Sequence, residues 1–134
     1  MSMPHRVAVA GASGRMGHTL IEAIRDAEDC VLTGALDLAS APALGQDAGS
    51  FLGQASGVHV TADLTAGLQN SAVLIDFTRP EGTLAHLNAC RVLGVNMVIG
   101  TTGFSDAQKA EIAAAAKSIA IVMAPNMSVG VNVT

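Results

Sequence analysis

Short apolar runs alternate with amphipathic stretches along the whole chain, and this alternation restricts the fold to a parallel α/β sheet. Residues 6–10 (RVAVA) read as a buried strand, and residues 14–27 as a helix with Met16, Leu20, Ile21, Ile24 and Ala27 at helical spacing. A second strand, Cys30–Leu36, ends on Asp37. Residues 38–57 are rich in Gly, Ala and Ser and read as a long loop with room for one turn of helix. A short strand is expected at 58–61 and a short helix at 63–69. Residues 72–77 (AVLIDF) form a strand of the fully buried type.

Thr78-Arg-Pro-Glu81 reads as a capping box with a proline in the first turn. The helix it opens should run to about Leu93, with Leu84, Leu87 and Leu93 inward, and stop at Gly94. A strand at 96–99 leads into the loop Gly100–Gly103. Ser105-x-x-Gln108 is a second capping box, opening a helix through Lys117. Residues 119–123 give the last strand and Ala124-Pro125-Asn126 the last loop. Crossovers between such strands are right-handed, and ligands bind outside the strands' carboxyl ends. The turn after the first strand, the loop at Gly100–Gly103 and the loop from Ala124 therefore belong to one crevice.

Gly11-Ala12-Ser13-Gly14-Arg15-Met16-Gly17 follows a strand and opens a helix. A turn whose backbone lies against a diphosphate has no room for a Cβ, and the free N–H groups of the helix start hold the anion. The spacing is GxxGxxG in place of GxGxxG; if Gly14 and Gly17 take the second and third positions, the first falls on Ala12. Asp37 stands about 20 residues beyond Gly17, where a carboxylate accepts from adenosine ribose hydroxyls. Strand, glycine turn, helix, strand and acid in this order point to dinucleotide binding. The acid also bears on the choice between NAD and NADP. Two unit charges about 4 Å apart repel by roughly 1–4 kcal/mol for effective dielectrics of 80 to 20. Asp37 therefore disfavours a 2′-phosphate unless a cation compensates; its neighbour is Leu38, and Arg15 is the nearby candidate.

Composition excludes other classes. Seven Lys and Arg against eleven Asp and Glu give a net charge of −4, with three Phe and no Trp or Tyr. Single-stranded nucleic-acid binding needs a basic groove and aromatic faces, so no nucleic-acid partner is expected. The mean hydropathy is positive, yet the longest uncharged stretch, 118–134, is cut by Pro125, Asn126, Ser128, Gly130 and Asn132. A spanning helix needs about 20 apolar residues. The apolar run after Arg6 is too short for a signal-peptide core, which points to a cytoplasmic protein with no membrane association. Cys30 and Cys90 stand far apart without a CxxC, so no metal site is expected.

Four blocks resemble dihydrodipicolinate reductase, also called 4-hydroxy-tetrahydrodipicolinate reductase, of lysine and diaminopimelate synthesis. They are Val9-Ala-Gly-Ala-Ser-Gly-Arg-Met-Gly17, Ile75-Asp-Phe-Thr-Arg-Pro-Glu-Gly82, Val98-Ile-Gly-Thr-Thr-Gly-Phe104 and Ala124-Pro-Asn-Met-Ser-Val-Gly-Val-Asn132. The resemblance implies a doubly wound, Rossmann-type dinucleotide-binding domain over 1–134. Residues 127–134 or so would lead into a C-terminal substrate domain that this chain lacks. It further implies that Gly11, Ala12, Ser13, Gly14, Arg15 and Met16 cradle the cofactor diphosphate and that Asp37 takes the ribose. Phe77, Thr78 and Arg79 would line the cofactor cleft. Gly100, Thr101 and Thr102 would approach the nicotinamide, Thr102 also reaching a substrate carboxylate. Ala124, Pro125, Asn126 and Met127 would close over the carboxamide.

The family's reaction is hydride transfer from NADH or NADPH to a conjugated cyclic imine. Its paired histidines, lysine acid and Ser-Gly-Thr loop belong to the C-terminal domain, so no catalytic residue is expected in this chain. His5, His18, His59 and His86 are scattered singly and read as surface or packing residues. Many members follow the ribose acid with a basic residue, and Leu38 stands there, so NADH should be preferred or equally used. The partners implied are the dinucleotide and, in the full-length enzyme, a small dicarboxylate. That enzyme would be a homotetramer and this chain alone a monomer that binds NAD(H) without turnover. One rival, a short-chain dehydrogenase, needs a Tyr that the chain does not contain. The other, a non-enzymatic NADH-sensing module, is opposed by the blocks at 100–104 and 126–132.

Overall fold

Five mostly apolar strands form one parallel sheet: β1 (His5–Ala10), β2 (Cys30–Leu36), β3 (Val73–Asp76), β4 (Asn96–Ile99) and β5 (Ile121–Met123). They alternate with α1 (Arg15–Asp26), α2 (Leu64–Leu68), α3 (Pro80–Leu93) and α4 (Asp106–Ala115). The structure is a computed structural model and describes residues 4–53 and 55–123. Strand order is β2-β1-β3-β4-β5. Among the described residues no helix is long and apolar enough to cross a membrane.

Successive side chains of a strand point to opposite faces, and the two faces of this sheet are buried separately. Val7, Val9 and Ala35 pack with Ile21 and Ile24 of α1. Ala8, Ala10, Leu36 and Leu74 pack on the other face with Leu68, Leu87, Cys90, Ile112 and Ala115 from α2, α3 and α4. Helices on both faces make the sheet doubly wound and explain why its strands read as continuous apolar runs. The chain leaves β1 for α1 on one face and reaches β3 by the other. The strand order therefore reverses between β1 and β3, where sheets of this kind open a crevice.

Two local expectations are corrected. Residues 58–61 do not form a strand: they contribute only isolated bridges, Leu36 with Thr61 in parallel and Asp47 with His59 antiparallel. Their backbone groups are taken up by the preceding loop, through Ala48 N–H to Val58 O (2.7 Å), Val60 N–H to Gln46 O (2.9 Å) and Gly45 N–H to Val60 O (2.9 Å). The segment thus lies beside β2, where a sixth strand would pair, without completing a ladder. Thr78 likewise does not cap α3. The N-cap is Arg79, with no side-chain cap, because the Thr78 hydroxyl donates to Asp76 instead, at 2.6 Å. The capping box of Ser105 and Gln108 forms as expected, with α4 starting at Asp106.

The 38–57 loop contains one 3₁₀ turn, Ser50–Leu52, and is gathered around Asp47. Its carboxylate accepts from Gly49 N–H (2.7 Å), Ser56 N–H and Oγ–H (each 2.8 Å) and Gly57 N–H (2.9 Å). These donors stabilise the charged form and hold the carboxyl well below the usual carboxylate range, despite partial desolvation. His18 of α1 stacks on Phe51, ring centroids 3.8 Å apart, tying the loop to the helix.

Candidate functional site

A cleft of about 550 Å³ opens at the strand-order reversal, within the size range of small-molecule sites. One wall is the turn after β1, the first residues of α1, and Asp37 and Leu38 after β2. The other is Phe77, Thr78 and Arg79 after β3, with Glu81, Gly82 and His86 of α3.

The glycines shape the first wall for a backbone site. Gly11 takes φ +70°, and a Cβ on Gly17 would run into the Gly11 carbonyl oxygen and lie 2.9 Å from Ala12 Cα. The start of α1 therefore rests directly on the turn. Gly14, its N-cap, offers no side-chain acceptor, and the first turn holds no acidic residue. His18 N–H bonds Gly14 O at 2.9 Å, whereas Arg15, Met16 and Gly17 N–H find no acceptor among the described residues. A bare, positively polarised helix end beside a cleft suits an anion. Arg15 and Arg79 line the same cleft and form no ion pair among the described residues.

Asp37 stands at the rim of this wall. Its Oδ2 accepts from Ser13 N–H at 2.9 Å and from the Ser13 hydroxyl, and its Oδ1 accepts from Leu38 N–H at 2.8 Å. Leu38 itself is 70% exposed.

The second wall rests on an acid that sequence reasoning passed over. Asp76, the last residue of β3, is fully buried. Its Oδ1 accepts from Thr78 N–H (3.1 Å) and Thr78 Oγ–H (2.6 Å), and its Oδ2 from His86 Nδ1 at 2.7 Å. His86 is thus no isolated packing residue. With Nδ1 directed to a carboxylate, it lines the cleft on a fixed ring. Thr101 is buried as well, its hydroxyl accepting from Thr78 N–H (2.9 Å) and Thr83 Oγ–H (2.8 Å). These bonds tie β3, α3 and the loop after β4 into one unit. Cys90 lies behind it, and burial together with the Asp76 charge pushes its thiol up to about 12. The readable signal was an acid inside an apolar run, AVLIDF, with a His ten residues on.

The cleft brings together Gly11, Ser13, Gly14, Arg15, Met16, Asp37, Phe77, Thr78 and Arg79. Ala12 is buried, with its N–H on Leu36 O at 3.0 Å. Gly100, Thr101 and Thr102 follow β4 and do not line the cleft as it stands. The space beside Gly100 is filled by the Phe77 ring, Thr101 faces the interior, and Thr102 is exposed. Ala124, Pro125, Asn126 and Met127 lie outside the described residues.

A family model described as dihydrodipicolinate reductase, N-terminus, matches residues 5–127. The chain belongs to this family. The 4-hydroxy-tetrahydrodipicolinate reductase of Herminiimonas arsenicoxydans is 64% identical over 129 residues, covering 96% of this chain and 48% of its own. That of Cupriavidus pinatubonensis is 66% identical over 128 residues, with the same coverage of 96% and 48%. Among solved structures, a dipicolinate-bound dihydrodipicolinate reductase from Paenisporosarcina sp. TG-14 matches with a TM-score of 0.76 at 28% identity. That match covers 96% of this chain and 49% of the other. The chain thus spans about half the length of the curated relatives it matches. The family's N-terminal unit is a Rossmann-like parallel sheet, and the cleft lies at its switch point.

Proposed function

We propose that this domain is the cofactor-binding half of a reductase acting on a dihydrodipicolinate-type cyclic imine in lysine and diaminopimelate synthesis. The observation that carries the reading is the bare N-terminus of α1, lying on a glycine turn at a cleft whose rim bears Asp37. A nicotinamide dinucleotide fits this donor set: among the described residues no side chain occupies the turn at Gly11 or Gly14, and three helix N–H groups have no acceptor and suit a diphosphate. When bound, the cofactor supplies the hydride, and the protein supplies binding and orientation.

In this reading the turn Gly11–Gly14, with Arg15, Met16 and Gly17 N–H, holds the diphosphate, and Asp37 accepts from the adenosine ribose hydroxyls. Phe77, Thr78 and Arg79 flank the bound dinucleotide, with Thr78 fixed by Asp76 and Thr101. Gly100, Thr101 and Thr102 lie toward the nicotinamide end, which Phe77 must vacate or cover, and Thr102 is the exposed hydroxyl able to donate to a substrate carboxylate. Ala124, Pro125, Asn126 and Met127 are assigned to the carboxamide. In this reading the catalytic groups for the reduction are supplied by the half of the relatives that this chain does not match, and the 134 residues bind cofactor without turning substrate over.

NADH is preferred or used equally, because Asp37 opposes a 2′-phosphate and Leu38 provides no cation to offset it. The test is calorimetric titration of the 134-residue chain with NADH and NADPH, together with a reductase assay. Saturable NADH binding without turnover is expected. Absent binding contradicts the reading, and tighter NADPH binding contradicts the preference.

A further inference from the structure

The rim acid is not free to move. Both of its oxygens are engaged: Oδ2 by the Ser13 N–H and hydroxyl, Oδ1 by the Leu38 N–H. Ser13 belongs to the glycine turn and Asp37 to the end of β2, so the bonds join the two halves of the cleft's first wall across 24 positions of sequence. Two of these donors are backbone groups, which side-chain changes other than to proline leave in place. The Ser13 hydroxyl is the one side-chain donor on Asp37 among the described residues.

This bears on how the cleft tells a ribose 2′-hydroxyl from a 2′-phosphate. A carboxylate beside that position offers lone pairs to a hydroxyl and a repelling charge to a phosphate. The repulsion discriminates only as far as the acid is prevented from swinging aside. Charge count alone does not decide the matter, because Arg15 and Arg79 line the same cleft and would welcome a second phosphate once the acid had turned away. The decisive quantity is therefore the cost of displacing Asp37, and the Ser13 hydroxyl supplies part of it. A hydrogen bond to a charged group shifts such an equilibrium by about tenfold or more when sheltered from water, and by less at a half-exposed rim.

We infer that Ser13 is a positioning residue for cofactor discrimination, holding Asp37 in the orientation that accepts a 2′-hydroxyl and rejects a 2′-phosphate. The inference rests on the proposed dinucleotide site and adds to it a residue that acts through another. Its ligand class is the 2′-substituent of an adenosine ribose, and its signature is a change in the ratio of two affinities.

The experiment follows NADH and NADPH fluorescence on titration with wild-type chain, S13A, S13T and S13G, in wild-type and Asp37→Asn backgrounds. The chain contains no Trp or Tyr, so the nicotinamide signal is read without protein fluorescence beneath it. In S13A the ratio Kd(NADPH)/Kd(NADH) should fall by about fivefold. S13T, which keeps the hydroxyl, should restore it, and S13G should match S13A. In the Asp37→Asn background the Ser13 substitutions should leave the ratio unmoved, since the charge they position is gone. If S13A and S13G weaken both cofactors equally, Ser13 serves only the diphosphate turn and the inference is overturned. A ratio that changes to the same extent without Asp37 overturns it too. Failure of wild-type chain to bind either cofactor would instead refute the site, so the two failures are distinguishable.

Discussion

Two aspartates stand at the carboxyl ends of the strands that flank β1, and they have opposite fates. Asp37, at the end of β2, is half-exposed at the cleft rim and held by its neighbours without being enclosed. Asp76, at the end of β3, is completely buried, and its oxygens are filled by Thr78 and His86. The first keeps lone pairs toward the cleft. The second accepts as many hydrogen bonds but is shut inside the fold, and it acts as the frame on which the opposite wall is built. A strand-end carboxylate is thus not a ligand group by position alone; each of these accepts three hydrogen bonds, and exposure to the cleft decides the role.

The strongest test of that contrast is stability. Asp76→Ala strands the Thr78 and His86 donors in the interior and should cost about 3–5 kcal/mol in urea denaturation, whereas Asp37→Ala, whose donors lie at the rim within reach of water, should cost about 0.5–1.5 kcal/mol. Equal costs would break the comparison. Gly17→Ala acts on the first wall through its backbone. The added Cβ meets the Gly11 carbonyl and Ala12, neither of which yields easily, so a loss of about 1–3 kcal/mol should accompany loss of NADH binding. Retained binding would show that the close approach of α1 to the turn is not needed.

A smaller effect sharpens the account of the second wall. Thr101→Val keeps the shape but removes the hydroxyl that accepts from Thr78 and Thr83. It should cost about 1–2 kcal/mol by thermal denaturation, with Thr101→Ser recovering most of it. The smallest effect belongs to the loop acid Asp47. Its carboxyl lies below the ordinary range because four donors favour the charged form. Its contribution is therefore present above the unfolded carboxylate value and lost as pH falls through the lower folded one. Asp47→Ala should flatten the acid limb of a stability–pH profile, and an unchanged limb would remove the loop acid from the account.

How much of this was legible in sequence follows the same division. β1, the glycine turn, α1, β2 and Asp37 are consecutive and carry local signals: an apolar run, glycines, a 3.6 period and a strand-end acid. Their arrangement could be read in order. The second wall could not, because it joins Asp76, Thr78, Thr83, His86 and Thr101 from three elements, and each looks ordinary alone. His86 read as a packing residue for that reason. Thr78 read as a cap because T-x-x-E fits the motif, but a buried carboxylate two residues earlier competes for its hydroxyl and prevails. Residues 58–61 had a strand's composition, and the Asp47 loop took the backbone groups a ladder would have used. Gly100 was placed near the nicotinamide by resemblance alone, and no local signal told that the Phe77 ring stands against it.

The central claim is that a diphosphate is held by the backbone N–H groups at the start of α1, which find no acceptor among the described residues. Amide chemical shifts of isotopically labelled chain, recorded as NADH is added, test it most directly. The account expects the largest shifts at Arg15, Met16 and Gly17, with Ser13 and Leu38 following through Asp37. Saturation with those amides unmoved, and the shifts gathered elsewhere on the sheet, would contradict it.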